Sequence, residues 1–306
     1  MREIKTKNVD NAMYAVIDEN IDEDIDNIEK LIKVQYDFLH SSCKRLYFQF
    51  TDCKDIGTAA SIIIGTLPQY ARKDNKAVKY RFIDENSHPV LKFMKKVGIY
   101  KYFMKDEIDY TGDDVLPFDL IEDDDMMNEY ASRILSLAPI KMQPEAQDIL
   151  ASYIIEVYQN GLYHSNSPIG VYTSGLWNKE KNEFTFAIYD MGVGIPEKVR
   201  KHLKNLGMDS GLDSEKCVRI AFVEGFTTSA RKDVNRGLGL IRLERFIELN
   251  NGSMHMYTDN ICYSIDGKEK EKKFKKLQKP ITGTLVIITI AADEHRIYIV
   301  EKEKKS

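Results

Sequence analysis

The chain has 306 residues, 43% of them hydrophobic and 30% charged, and a formal net charge of −4. That length exceeds one ordinary core and implies two domains, and the nearly balanced charge gives no overall basic field directed at nucleic acid. The N-terminal residues lack the apolar stretch of a signal peptide, the most apolar run (Leu285 to Ala292) is too short to span a bilayer, and Cys43, Cys53, Cys217 and Cys262 have no CxxC spacing, so the expectation is a cytoplasmic protein with no membrane span, zinc site or disulfide framework.

The first hundred residues alternate strand and helix patterns. Ala12 to Ile17 reads as a strand, and Asp22 to Leu39 as a helix with Ile25, Ile28, Leu31 and Ile32 at helical spacing. Arg45 to Phe50 is a strand turning at Thr51-Asp52, Thr58 to Tyr70 an apolar helix, and Val78 to Ile83 another strand. Ser87 or His88, followed by Pro89, starts a helix that ends at Gly98. Strand–helix alternation of this kind predicts a sheet covered by helices.

From Met104 to Asp125 the composition turns acidic, with Gly112 and Pro117 among the aspartates, and this stretch reads as a linker. The expected organisation is therefore a domain over 1–104, a linker over 105–126 and a second domain over 127–306. The second domain opens with helices over Met127 to Leu137 and Pro144 to Ser165. Gly170 to Leu176 and Glu183 to Tyr189 look like paired strands. Pro196 to Leu206, Ser214 to Val223 and Leu240 to Leu249 look helical, the last closed by Asn250-Asn251-Gly252. Met254 to Thr258 and Gly283 to Ile290 are strands, and the lysine-dense segment between them, Lys268 to Lys279, reads as a solvated hairpin rather than a patch for an acidic partner.

Several distant segments carry chemistry. Glu156 and Asn160 lie four apart on a helix and share one face, and His164 continues the stripe. An amide oxygen together with phosphate oxygens suits magnesium, which keeps several waters, and a carboxylate one turn away can deprotonate a hydroxyl or water. Asp190-Met191-Gly192-Val193-Gly194 follows an apolar strand. A carboxylate at a strand end can accept from an adenine amine, and glycines there let backbone approach a flat base. Arg236-Gly237-Leu238-Gly239-Leu240 places two glycines at a helix start, where free N–H groups attract phosphate. The polar stretch before it, Gly225 to Asn235, reads as a lid. Gly283-Thr284 opens the last apolar strand, and its hydroxyl would need a polar partner such as a bound water.

These segments, in this order, resemble the GHKL-type (Bergerat) ATP-binding domain of histidine kinases, gyrase B, a heat-shock chaperone and mismatch-repair ATPases. The ExxxN helix looks like its N box, Asp190 to Gly194 its first glycine box, Arg236 to Leu240 its second, and Gly283-Thr284 its closing strand. Gly225 to Gly252 is especially similar to histidine-kinase and anti-sigma-factor sequences. The resemblance implies an α/β sandwich with a mixed sheet, and ATP and Mg2+ as cofactors. It further implies Glu156 as catalytic base and Asn160 as metal ligand. Asp190 would read adenine, Gly192 and Gly194 line the base pocket, Gly237 and Gly239 contact phosphates, and Thr284 completes the adenine site, with Arg236 and Leu238 also among the cofactor-binding residues. The first half looks like a STAS domain, on the pattern of Leu46 to Phe103. Thr58 is the nearest match to that family's phospho-acceptor, although the usual paired serines are missing and helix capping is the competing role.

The resemblance leaves three functions open: a regulatory ATPase whose lid closes on triphosphate and controls a protein partner through the STAS-like domain, an anti-sigma-type serine/threonine kinase, or a non-hydrolysing scaffold. The pairing of Glu156 with Asn160 argues against the last. Homodimers are common in the superfamily. No phospho-acceptor histidine helix is evident, and His40 reads as a surface residue.

Overall fold

The computed structural model describes residues 3–84, 87–103, 112–138, 140–223, 226, 239–292 and 297–300. Its N-terminal half is a four-stranded sheet in the order β1 (Lys5–Val9), β2 (Ala12–Ile17), β3 (Arg45–Phe50) and β4 (Ala77–Phe82). β1 runs antiparallel to β2, and β2, β3 and β4 are parallel. The crossovers are α1 (Ile25–His40) and α2 (Thr58–Ala71), and α3 (Pro89–Lys96) follows β4. Parallel neighbours need such crossovers, which put helices over the sheet.

α1 starts where the Asp24 side chain accepts the Asp26 N–H, as a capping residue should. At α2 the capping expected of Thr58 is not found. Gly57 is the N-cap and makes no side-chain bond, while Glu23 accepts from the Thr58 and Ala59 N–H groups. Thr58 itself is 3% exposed. Burial pushes the Glu23 carboxyl up to about 7, against the pull of those two N–H groups.

The C-terminal half comprises β5 (Val115–Ile121), α4 (Asp124–Leu137), β6 (Lys141–Met142), α5 (Pro144–Leu162), β7 (Val171–Asn178), β8 (Glu183–Asp190), α6 (Ile195–Asn205), α7 (Ser214–Ala221), α8 (Gly239–Leu249), β9 (Ser253–Asp266), β10 (Glu271–Ala291) and β11 (Ile297–Tyr298). Five strands form one sheet in the order β5-β7-β8-β10-β9. Each of its pairings is antiparallel, so the mixed sheet belongs to the N-terminal half and not, as expected, to this one. The segment assigned to a linker also differs. Residues 104–111 lie outside the described residues, but Val115–Ile121 is the edge strand of the second sheet, and Asp123 caps α4. The lysine-dense segment is the hairpin of β9 and β10, with Lys272 paired to Glu244 and Glu248, and Lys275 to Asp26 and Glu29.

The two sheets share a core. One contiguous apolar cluster runs from Leu46, Phe48 and Phe50 through Leu31, Ile63 and Ile64 to Phe118, Tyr189, Leu285 and Ile287. α1 and α2 therefore form a layer buried on both sides. α2 approaches the second sheet closely at Gly65, where a Cβ would meet the Phe118 ring at 2.7 Å. The opposite face of the second sheet packs on α4, α5 and α8 through Phe184, Phe186, Ile154, Tyr158 and Phe246. Cys43, Cys53, Cys217 and Cys262 are buried free thiols. No helix among the described residues is long and apolar enough to cross a membrane.

A shared core should unfold as one unit. Trp177, the single tryptophan, lies in β7 of the second sheet, whereas Leu46 lies in β3 of the first. Leu46→Ala is expected to cost about 2–5 kcal/mol and to lower the denaturant midpoint read from Trp177 fluorescence as much as that read from far-UV dichroism. An unmoved Trp177 transition would show that the halves unfold separately.

Candidate functional site

The strand β8 carries Tyr189 and Asp190 at its end, facing opposite sides of the sheet. Tyr189 points into the shared core, where its hydroxyl donates to the Gln35 side chain of α1 at 3.2 Å and to the Thr282 carbonyl at 3.0 Å. Asp190 points to the other side and is 6% exposed. Its carboxylate accepts the Gly192 N–H at 2.9 Å, with the Ser165 hydroxyl, the Thr284 N–H and the Lys198 ammonium as further stabilising partners. Burial outweighs these and lifts the carboxyl from 3.8 to about 6.

The turn after Asp190 leaves no room for side chains. A Cβ at Gly192 would lie 2.1 Å from the Ser165 carbonyl oxygen. Gly194 has φ +77° and is the N-cap of α6, a backbone conformation suited to glycine. Facing it across the sheet, Gly283 has φ +83°, and a Cβ there would lie 2.0 Å from the Asp190 carbonyl oxygen. α6 then begins at Ile195, whose N–H donates to the Thr258 hydroxyl at 3.0 Å. Its first turn presents Lys198, which donates to the Asn160 carbonyl at 3.4 Å, and burial lowers its ammonium pKa.

The helix α5 supplies the opposite wall. Pro144 occupies its first turn, and Tyr153, Ile154, Val157 and Tyr158 are buried against the sheet and its neighbours. Gly161 permits the last turn to close on the sheet, since a Cβ there would lie 2.7 Å from Val171 Cγ2 and 3.6 Å from Asp190 Cβ. Asn160, one residue earlier, is thereby brought to the cavity beside Asp190. Gly239, the first residue of α8, passes against the Glu156 side chain, and a Cβ on it would approach Glu156 to 2.7 Å.

These elements enclose a cavity of about 120 Å³. Glu156, Asn160, Asp190 and Thr284, drawn from three separate elements, all line it. Apolar walls come from Val157, Ile188, Ile195, Val199, Leu240 and Val286. The Thr284 hydroxyl has a protein partner, the Thr258 hydroxyl at 3.3 Å. Gly192 and Gly194 shape the turn beside the cavity without lining it. Arg236, Gly237 and Leu238, and all of the expected lid except Phe226, lie outside the described residues; Phe226 reaches the cavity wall.

Lys198, Ser165 and Gly161 were not singled out by the sequence, although each has a local signal: Lys198 stands four residues after Gly194, and Gly161 and Ser165 flank the end of the ExxxN helix. Among the described residues no group of three or more His, Cys, Asp or Glu side chains is disposed to hold a metal ion. A hard cation here would have to take Asn160 and oxygens of its own ligand. The apolar slot ending in one buried carboxylate and one hydroxyl fits a flat heterocycle with a donor at its edge. No protein-family model matches the chain, and no curated protein matches it.

The burial of Asp190 has a measurable consequence. Its folded pKa lies above the unfolded value of 3.8, so the folded state binds more protons between about pH 4 and 6, and stability is lost as pH rises through that window. Asp190→Asn removes this loss. Its stability relative to the parent is expected to rise by up to about 3 kcal/mol, roughly two pH units at 1.36 kcal/mol each, between pH 4 and pH 7 in urea titrations of the nucleotide-free protein. A difference that stays constant with pH would contradict the burial.

Proposed function

We propose that the chain is a magnesium-dependent ATP-binding regulatory protein of the GHKL type that hydrolyses ATP slowly. The observation supporting this reading most strongly is that Glu156, Asn160, Asp190 and Thr284, spread over more than a hundred residues of sequence, line a single cavity. In this reading the base enters between the apolar walls and its exocyclic amine donates to Asp190. The flat approach is favoured by the apolar side chains of Val157, Ile188 and Val286 that line the cavity beside Asp190. The phosphates extend toward Glu156 and the start of α8, where helix N–H groups are directed outward.

Asn160 would hold magnesium together with phosphate oxygens, and the chemistry the ion would supply is neutralisation of phosphate charge. Glu156, one helical turn away, accepts the proton of the attacking water as its oxygen bonds to phosphorus and the bond to the ADP oxygen breaks. The N-terminal unit, joined to the pocket strand through Tyr189 and Gln35, is the part that conveys the nucleotide state to a protein partner. Transfer to a protein hydroxyl is the competing chemistry for the same carboxylate. Thr58 does not suit it, being 3% exposed with its N–H engaged by Glu23.

Incubation with γ-labelled ATP and magnesium is expected to release free labelled phosphate, and Glu156→Gln to abolish that release while ATP still binds. Label accumulating on protein instead would favour the kinase reading, and unchanged turnover in Glu156→Gln would remove Glu156 from the chemistry. By calorimetry, Asp190→Asn should weaken ATP at least tenfold, the loss expected for one buried charge-assisted hydrogen bond. Equal affinity would refute the adenine role.

A further inference from the structure

Among the described residues, the four-stranded sheet has helices on one face only. Its other face carries the side chains of alternate residues, and the register fixes which ones. One cross-strand row reads Lys7, Tyr14, Tyr47, Lys79, and the next reads Lys5, Val16, Gln49, Arg81. The third row holds Val9, Ala12, Arg45 and Ala77. Two tyrosines thus occupy the central strands, with cations on both flanks and no carboxylate at any of these positions. Lys5, Lys7, Arg45, Lys79 and Arg81 are all exposed. At its rim the Asp18 carboxylate lies 3.9 Å from Lys5.

The aromatic centre is ordered. The Tyr14 and Tyr47 rings lie parallel, 4.9 Å apart with 9° between their planes. The Arg81 guanidinium sits over Tyr47 at 4.2 Å and 5.6 Å from the Tyr14 ring. Tyr47 is 8% exposed beneath it, and Tyr14 is half-buried. The surface therefore offers a ring and a guanidinium plane at its middle, with ammonium groups to either side. Concentrating five cations on one face is unexpected in a chain of net charge −4, and the overall charge conceals it.

We infer that this open sheet face binds single-stranded nucleic acid. Bases stack on Tyr14 and on the Arg81 guanidinium, and the flanking lysines and Arg45 neutralise phosphates. Both contacts are chemically standard for strands whose bases are unpaired. An acidic polypeptide would satisfy the cations and leave the aromatic centre unused, and a duplex would hide its bases from it. The surface is separate from the cavity, so nucleotide binding there is not required.

The test uses the full chain and a fluorescently labelled oligouridylate, followed by anisotropy at several salt concentrations. Expected are saturable binding that weakens as salt rises, preference over a duplex of equal length, and a loss of roughly tenfold for Tyr14→Ala, the size of one stacking contact. Lys79→Glu, at an exposed position, should weaken binding comparably without changing the melting temperature, which guards against misfolding of the tyrosine variant. Lys273→Glu, on the distant hairpin, should leave it unchanged. No binding at low salt, preference for duplex, tighter binding of polyglutamate than of the oligouridylate, or equal loss in Lys273→Glu would overturn the inference.

Discussion

Asp190 holds a carboxyl group out of water at the end of a strand, and most of the cavity's construction answers the cost of doing so. An isolated buried carboxylate is strongly unfavourable. Here the Gly192 N–H, the Ser165 hydroxyl, the Thr284 N–H and the Lys198 ammonium all converge on it. Each partner imposes a constraint of its own. Gly192 must lack a Cβ because the Ser165 carbonyl occupies that space, and Gly283 must lack one because the Asp190 carbonyl does. Lys198 reaches the site because Gly194 starts α6 with a positive φ. The result is an acceptor fixed in position before any ligand arrives, which favours recognition by reducing the ordering required on binding.

The same strand links the cavity to the other half of the molecule. Tyr189, the neighbour of Asp190, bonds Gln35 of α1 and the Thr282 carbonyl just before Gly283. The strand ends beside Asp190 are thus packed directly on a helix that also covers the first sheet. Charge reinforces the contact: Lys275 pairs with Asp26 and Glu29, and Glu29 accepts the Gln278 N–H at 2.7 Å. A displacement of the β8–β10 edge would move α1 as well, because close-packed layers shift together rather than deform smoothly.

Much of the candidate site was legible in the sequence because its parts are short and stereochemically strict. A carboxylate and an amide four residues apart must share a helix face, and glycines after an apolar strand mark a backbone that comes close to something. Lys198 was less visible, since a lysine in a helix is ordinarily solvated and only the fold buries it. The helices and central strands followed their hydrophobic periods. β1 did not, because KTKNV is an exposed edge strand with no apolar face to alternate. β5 was hidden by the acidic residues around Val115 to Phe118 and by Pro117, which is tolerated because the strand lies at an edge with a register shift between Leu116 and Asp119. The lysines of β10 find their acids on α1 and α8, far away in sequence, so no local pattern reveals that they are strand residues. The basic sheet face is similarly a product of register: its members are scattered from Lys5 to Arg81 and become neighbours only across strands.

The most direct test of the account is a crystal structure of the chain with magnesium and a non-hydrolysable ATP analogue. Expected are the adenine amine on the Asp190 carboxylate, the base between Ile188 and Val157, and the metal on the Asn160 amide oxygen. A cavity left empty at saturating analogue, or a nucleotide seated elsewhere on the chain, would contradict it.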